Sequence, residues 1–171
     1  MEISNVQKVG YFLQDLLKVP LNVSFILYKH GPFSFELRDV LAAMESERLI
    51  VWQPQPYPYG PTMTPGPLAP FLARAETPKT FKSEIDFVAE RLASKKVVDL
   101  EKIATALFVT LDRSVALERR AEELTFRKPH VSLPEAEQAV KDVDEIIDDA
   151  VGRGIIRKVA AANSDRFAIQ R

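Results

Sequence analysis

The sequence predicts a mostly α-helical fold with small β-hairpins (α+β), in which a winged-helix-like N-terminal unit packs on a helical C-terminal unit that ends in a hairpin. Residues 28–52 have the order strand end, Gly-Pro turn, Ser-capped helix and returning strand, which is the order of a winged-helix module. Apolar residues recur at helical spacing through most of the remaining chain. Two short apolar runs joined by a polar turn, within residues 155–169, predict the terminal hairpin.

We therefore expect a winged-helix-like unit over residues 1–75 and a helical unit over residues 76–171, together forming one globule. The second unit repeats the order of a helix followed by a ribbon. It is therefore a candidate for a second winged-helix-like unit.

The first unit is predicted to begin with an amphipathic helix over residues 3–18. Its predicted core stripe consists of Val6, Val9, Leu13, Leu16 and Leu17. The β-branched and aromatic residues of 23–28 predict a short strand. Ser34 then lies at the N-cap position of a second helix over residues 34–47. The predicted core stripe of this helix consists of Phe33, Leu37, Val40, Leu41 and Met44.

A proline-rich segment over residues 53–78 follows the first wing strand, residues 49–52. Eight of the twelve prolines of the chain fall in it. Each proline removes a backbone donor and biases its predecessor towards extended backbone, so regular strand pairing is not expected through most of this segment. Residues 68–73 predict a brief helical turn. The aromatic rings of the segment either pack on the body of the protein or form a docking surface.

Helices are predicted to fill most of the second unit. Thr77-Pro78 begins the first of them, as an N-cap followed by proline. Asp99 is the predicted cap of the next, and Ser114 begins a third. Ser132-Leu-Pro-Glu135 has the spacing of a capping box and opens a long helix over residues 132–151.

The composition excludes several classes of site. The chain contains no Cys, which excludes disulfides, thiolate zinc sites and thiol catalysis and predicts a cytoplasmic protein. The sequence has no secretory signal pattern and no apolar run near the roughly 20 residues that cross a bilayer, so no membrane partner is expected. With 23 basic and 24 acidic residues, the chain has no global attraction for a nucleic-acid backbone.

The sequence contains no motif that would support catalysis. It has no phosphate-binding glycine motif and no nucleophile-elbow motif. Its only histidines, His30 and His130, could meet across the two halves, but we interpret them as ordinary turn or surface residues. We therefore expect no enzyme activity, no cofactor and no metal. The alternative is a Mg²⁺ or Ca²⁺ site on the helical face of Asp142, Glu145 and Asp149, a face that is more simply interpreted as solvated.

The charges of the two recognition-position helices oppose DNA binding. Helix 34–47 has four acidic residues against Arg38, a net charge of −3, and helix 132–151 has seven against Lys141, a net charge of −6. Both would repel a phosphate backbone. The alternative is a winged-helix transcriptional regulator that contacts DNA through its hairpins. The candidate contact residues for that alternative are Arg153, Arg157, Lys158 and Arg166.

Five residues are candidates for contact with a protein partner: Trp52, Tyr57, Tyr59, Arg38 and His30. The three aromatic residues lie in or beside the proline-rich segment, where Trp52 can also anchor the loop. Arg38 lies on the acidic helix and His30 in the predicted turn.

A set of residues in the front half follows a recognisable pattern: Tyr28, Gly31, Pro32, Phe33, Ser34, Leu37, Leu41, Leu49 and Ile50. It resembles the Tyr-x-x-Gly-Pro-[Tyr/Phe]-Ser…Leu…Leu-Ile core of the small prokaryotic YwgA-like proteins and the related Panacea-type domain. Segments 99–105 and 128–132 are also similar to that group, and Arg48 stands where its pattern has Gly. The resemblance implies an antitoxin or adaptor module that binds a partner protein, and it implies no catalytic residues.

The sequence thus predicts a non-enzymatic protein-binding or regulatory module, antitoxin-like in character, whose partner is another protein. A homodimer is compatible with this amount of amphipathic helix.

Overall fold

The computed structural model describes residues 3–57, 60–72 and 79–156, where the chain is mostly helical with two small antiparallel strand pairs. The predicted α+β class is confirmed. The elements of the first half are α1 (Ile3–Tyr11), a π-helical turn (Phe12–Leu16), β1 (Ile26–Tyr28), β2 (Gly31–Phe33), α2 (Phe35–Ser46), β3 (Ile50–Gln53), β4 (Thr62–Pro65) and α3 (Ala69–Leu72). Those of the second half are α4 (Lys82–Leu92), α5 (Val97–Leu111), a 3₁₀ turn (Leu117–Arg119), α6 (Arg120–Arg127) and α7 (Leu133–Gly152).

The first helix forms where it was predicted, with Leu16 and Leu17 buried and Val9 and Leu13 packed on the core, but it also buries polar residues that were not predicted. α1 continues through the π-helical turn and ends near Lys18, whose φ is 62°. The predicted apolar stripe is only partly buried in its first half, at Val6 and Val9, whereas the polar residues Gln7 and Lys8 are fully buried. Their burial has a tertiary cause, because the segment that carries β1 and β2 packs over this side of α1.

The predicted Gly-Pro turn is wrong in position. β1 pairs with β2 in an antiparallel hairpin, in which Tyr28 faces Gly31 and the turn residues are Lys29 and His30. Gly31 has φ +89°, and a Cβ atom there would lie 3.4 Å from both Lys8 Cε and Thr105 Oγ1. Glycine is therefore favoured by the left-handed backbone, since a Cβ atom at these distances would make only ordinary van der Waals contacts. The strand is also shorter than predicted, since pairing begins at Ile26.

Helix α2 begins at its predicted cap. The Ser34 side chain accepts a hydrogen bond from the backbone N–H of Leu37 (3.1 Å). Of the predicted core stripe only Leu41 is fully buried, and Val40 is 49% exposed. This exposure arises because α2 packs mainly against β3 and has no element over its outer side within the described residues.

The strand after α2 pairs with the proline-rich segment. β3 and β4 form an antiparallel ribbon in which Trp52 faces Met63. The predicted wing strand is thus confirmed in position, and its partner β4 lies within the proline-rich segment, most of which was predicted to be unpaired. The predicted helical turn within 68–73 is found as α3. The winged-helix arrangement as a whole stays a prediction.

Two helix starts of the second half differ from their predictions, and the predicted start at Thr77-Pro78 lies outside the described residues, in which α4 begins at Lys82. α5 begins at Val97 with Lys96 at the N-cap, so Asp99 lies inside its first turn. Ser114 donates from its backbone N–H and hydroxyl to Asp112 and caps no helix. The capping box of Ser132 is confirmed. The predicted boundary at residue 75, and the predicted terminal hairpin beyond residue 156, lie outside the described residues.

Helix α5 lies at the centre of the buried apolar cluster. That cluster includes side chains from α1, the π-helical turn and helices α4 to α7. α5 contacts α1, β2, α6 and α7, while α2 and the β3–β4 ribbon lie outside the cluster. None of the helices described here has both the length and the apolar character needed to cross a membrane. The hairpin and the exposed α2 therefore lie side by side on one surface of a helical body.

Candidate functional site

Two glutamines attach the hairpin segment to the first helix. The Gln7 side chain accepts from the backbone N–H of Ser34 (2.8 Å) and donates to its carbonyl oxygen (3.1 Å). One heptad later, Gln14 makes the same pair of bonds with Val23, at 3.1 and 2.8 Å. Each carboxamide thus acts as a partner for one residue of extended backbone. These bonds fix both ends of the segment that presents β1 and β2.

Glu101 links its own helix, α5, to two other segments beneath the hairpin turn. Its carboxylate lies 3.3 Å from His30 Nδ1 in the turn and 3.5 Å from His130 Nε2 in the connection between α6 and α7. Lys128 Nζ is 3.6 Å away. The Glu101 side chain is only 14% exposed, whereas both imidazoles are mostly exposed. The two histidines therefore do share a site, through a carboxylate that the sequence did not single out.

Two buried ammonium groups, of Lys8 and Lys128, interact electrostatically with this one carboxylate. Lys8 and Lys128 are both buried, and Glu101 is the acidic group that acts on each of them. Burial lowers the pKa of Lys8 to about 8, against the attraction of Glu101 and with the repulsion of Lys128. Burial also lowers the pKa of Lys128. A positive charge without its own counter-charge is therefore held beneath the surface.

An open groove lies above this cluster. One wall is formed by Leu27, Tyr28 and Lys29, and the other by the segment 127–130. The Lys128 ammonium connects the walls, because it donates to the carbonyl oxygens of Tyr28 (2.7 Å) and Lys29. The groove encloses about 480 Å³ and is open to solvent along one side. Its ionisable lining residues are a tyrosine and four basic residues.

An exposed aromatic cluster adjoins the groove at Tyr28. The rings of Tyr28, Phe33 and Phe35 lie with their centroids 5.1 to 6.1 Å apart. Ile26 and Phe33 face each other across the hairpin, which places them on the outer face together with Tyr28. Arg38 of α2 lies over the Phe35 ring at 5.2 Å. Tyr28 is 55% and Phe35 is 43% exposed, so this cluster presents contiguous aromatic surface to solvent.

Helix α2 extends this surface with acidic side chains. Arg38 is paired with its neighbour Asp39 (2.8 Å). In the part of the chain that the structure describes, Glu45 and Glu47 have no ion-pair partner. Hydrogen bonds to the backbone and to Ser34 hold the pKa of Glu36 below its usual value, so this group is ionised at neutral pH. The helix therefore keeps most of its negative charge facing solvent.

The predicted partner-binding residues do not all lie together. Arg38 belongs to the aromatic cluster and His30 lies in the hairpin turn beside it. Trp52 lies on the β3–β4 ribbon and is partly buried, while Tyr57 is 97% exposed. Tyr59 lies outside the described residues.

The acidic face of α7 differs from that of α2, because several of its carboxylates pair with basic residues. Asp144 accepts two hydrogen bonds from Arg120, at 2.6 and 2.8 Å. The other pairs are Glu135–Lys102, Asp142–Lys95, Asp149–Arg91 and Asp149–Arg153. Glu145 is exposed and has no ion pair within the described residues, so the face is solvated only in part. Among the described residues, no group of three or more His, Asp or Glu side chains is placed to hold a metal ion.

The predicted DNA-contact residue Arg153 is also engaged within the protein. Its guanidinium donates two hydrogen bonds to Glu90, both at 2.8 Å, and one to Asp149 at 3.1 Å. Arg157, Lys158 and Arg166 lie beyond residue 156 and outside the described residues.

Sequence reasoning missed Gln7, Lys8, Glu101 and Lys128 as members of the site. The available signal was the adjacent polar pair Gln7 and Lys8 within a helix whose apolar spacing is otherwise regular. Comparison with known proteins adds no further assignment, since no family model and no curated protein matches the chain. The resemblance to YwgA-like and Panacea-type proteins therefore stays a prediction.

Proposed function

We propose that the protein is a non-enzymatic, cytoplasmic protein-binding module of regulatory or antitoxin-like character. It docks another protein on the aromatic cluster (Tyr28, Phe33 and Phe35 with Arg38) and on the adjoining face of α2. The observation that carries this proposal is a cluster of three touching aromatic rings, of which Tyr28 and Phe35 are exposed, at the junction of the anchored hairpin with α2. Aromatic and arginine side chains are the residues that most often dominate the energy of protein interfaces.

The rigidity of the support favours this surface as a docking site. Gln7 holds the backbone of Ser34, the residue between Phe33 and Phe35. Rings that are already positioned lose little conformational entropy when a partner binds. The unpaired acidic side chains of α2 disfavour a nucleic-acid partner at the same surface, because they repel phosphate.

The DNA-binding alternative gains no comparable support. Arg153 already donates to three carboxylate oxygens. A contact with phosphate would have to replace these intramolecular bonds. Salt-dependent binding to mixed duplex DNA that is lost in the double variant Arg157→Ala with Lys158→Ala would restore this alternative.

Site-specific photo-crosslinking in the native cell tests the proposed function. A photoreactive amino acid replaces Tyr28 or Phe35 in the full chain, and in a control it replaces Ile85, which is exposed on α4. We expect a discrete crosslinked protein from positions 28 and 35 and none from position 85. A crosslinked product with twice the mass of the chain would identify the partner as a second copy. Equal yields at all three positions, or no product at any, would contradict the proposal.

A further inference from the structure

The groove beside the aromatic cluster carries positive charge that the protein itself does not balance. Arg127 in its wall is paired with two carboxylates, Asp112 (2.8 Å) and Glu123 (2.6 Å), so the four basic groups Lys8, Lys29, Arg127 and Lys128 exceed the three carboxylates Glu101, Asp112 and Glu123 by one charge. Lys29 is different, since its exposed side chain has no ion-pair partner within the described ranges.

Below the groove, the balance of charge is also positive. Lys128 Nζ lies 3.6 Å from Glu101, whereas the buried Lys8 ammonium donates to Ser4 Oγ (3.0 Å) and has no ion-pair partner within the described residues. One Glu101 oxygen accepts no hydrogen bond, although it lies within 3.6 Å of Lys128 Nζ. Buried charge acts over a longer range than exposed charge because water screens it less. The groove therefore attracts anions both through Lys29 and through the charge beneath it.

We propose that this groove binds an acidic peptide segment of the partner protein, next to the aromatic cluster that binds an apolar part of the same partner. The inference rests on the proposed function, and Tyr28 is common to both surfaces. The partner thus carries Asp or Glu side chains adjacent to an apolar anchor. Basic groups of this kind are the usual recognition element for acidic motifs.

The shape of the groove favours a peptide over a small anion. Sites for small molecules enclose most of the ligand surface. This groove is open along its length, with the Tyr28 ring and Pro129 as apolar walls. An extended chain can lie across it and place one carboxylate near Lys29 and another near His130.

A binding assay with the full chain tests the inference. The probes are a short labelled peptide rich in glutamate with one central phenylalanine, and its counterpart with lysine in place of every glutamate. Fluorescence anisotropy measures both. We expect the glutamate peptide to bind, with an affinity that falls as the salt concentration rises. The lysine peptide should not compete with it for binding. Equal binding of both peptides would overturn the inference.

Three variants locate the binding. Lys29→Glu should lower the affinity for the glutamate peptide by roughly tenfold. The matched control Lys141→Glu, on the exposed side of α7, should change this affinity by less than about twofold. Lys8→Met removes buried charge without altering the groove surface and should weaken binding by about threefold. Equal effects of Lys29→Glu and Lys141→Glu, or no effect of Lys29→Glu in a folded protein, would refute the assignment to this groove.

The two proposals can fail separately. Crosslinking from position 35 without any binding of the glutamate peptide would support the proposed function and refute the inference that the groove binds an acidic segment of the partner. Binding of the glutamate peptide without crosslinking from Tyr28 or Phe35 would remove the proposed function, and with it the link between the groove and a protein partner.

Discussion

Arg48, between α2 and β3, has a backbone conformation that suits glycine better than arginine. Its φ is 57°, in the left-handed region. The Cβ atom of a non-glycine residue costs roughly 1–2 kcal/mol there, partly offset by the lower chain entropy of the unfolded state. We expect Arg48→Gly to raise the free energy of unfolding by about 0.5–1 kcal/mol, measured by urea denaturation. Arg48→Ala keeps the Cβ and should give no gain; an equal gain from both variants would contradict the argument.

Lys8 is the residue whose charge is least well matched to its surroundings. Its pKa is about 8 in the folded protein against 10.5 for an unburied lysine. Between these values the unfolded state holds more protons, so deprotonation of Lys8 stabilises the fold as pH rises from 8 to 10.5. The penalty for keeping Lys8 charged, up to about 3 kcal/mol, is fully present below pH 8.

We therefore expect Lys8→Met to be more stable than the natural protein at pH 7, with an advantage that shrinks between pH 8 and 10.5. Urea denaturation across this range measures it. Lys141→Met, at an exposed position of α7, provides the matched control and should show no such trend. An advantage that does not change with pH would refute the role given to the buried charge.

The hairpin β1–β2 depends on side chains of α1 for part of its backbone hydrogen bonding. Gln7 is fully buried and satisfies both polar groups of the Ser34 backbone. Gln7→Met keeps a similar volume but leaves the buried Ser34 N–H unpaired, at about 1–3 kcal/mol, while the Ser34 carbonyl oxygen keeps its bond from the Arg38 N–H (3.2 Å). We expect a loss of about 2 kcal/mol in urea denaturation. Gln138→Met, at an exposed position on α7, should be nearly neutral; a similar loss there would argue against the specific role of Gln7.

Element positions that depend on local chemistry could be predicted, and those that depend on distant partners could not. The Ser34 cap and the Ser132 capping box are local, and both are confirmed. The hairpin turn was misplaced because Gly31 has its left-handed backbone (φ +89°) inside β2, where it pairs with Tyr28, and not in the turn itself. The burial of Gln7 and Lys8 was likewise set by their tertiary partners and could not be predicted from apolar spacing.

In the candidate site, too, the features that depend on local sequence could be predicted and those that depend on the fold of the whole molecule could not. The sequence identified Arg38 and His30, and it identified the acidic excess of α2, but it could not show that four of the seven acidic residues of α7 form ion pairs with basic groups elsewhere in the fold. Net charge per helix is a property of sequence, whereas the charge that a partner meets depends on which pairs form in the fold. The negative charge that α7 presents to solvent is therefore much smaller than its sequence indicates.

The ion pairs between α7 and its neighbours make the stability of the whole molecule sensitive to acid. Hydrogen bonds and charge attraction from Lys102, with further hydrogen bonds from Ser132, lower the pKa of Glu135 to about 2. Hydrogen bonds from Ser114 and then Arg127 lower the pKa of Asp112 to about 2. Because both values fall below those of free carboxyl groups, their contribution is complete above about pH 4.5 and is lost as pH falls towards 2.

We expect Glu135→Gln to be less stable than the natural protein at pH 7 and equally stable near pH 2, because protonation removes the same interactions that the substitution removes. Urea denaturation at a series of pH values between 7 and 2 measures the difference. Glu137→Gln changes an exposed carboxylate on the same helix that has no ion pair within the described residues, and its effect should be small at every pH. A stability difference for Glu135→Gln that persists unchanged at pH 2 would show that the junction of α5 with α7 does not depend on the charge of Glu135.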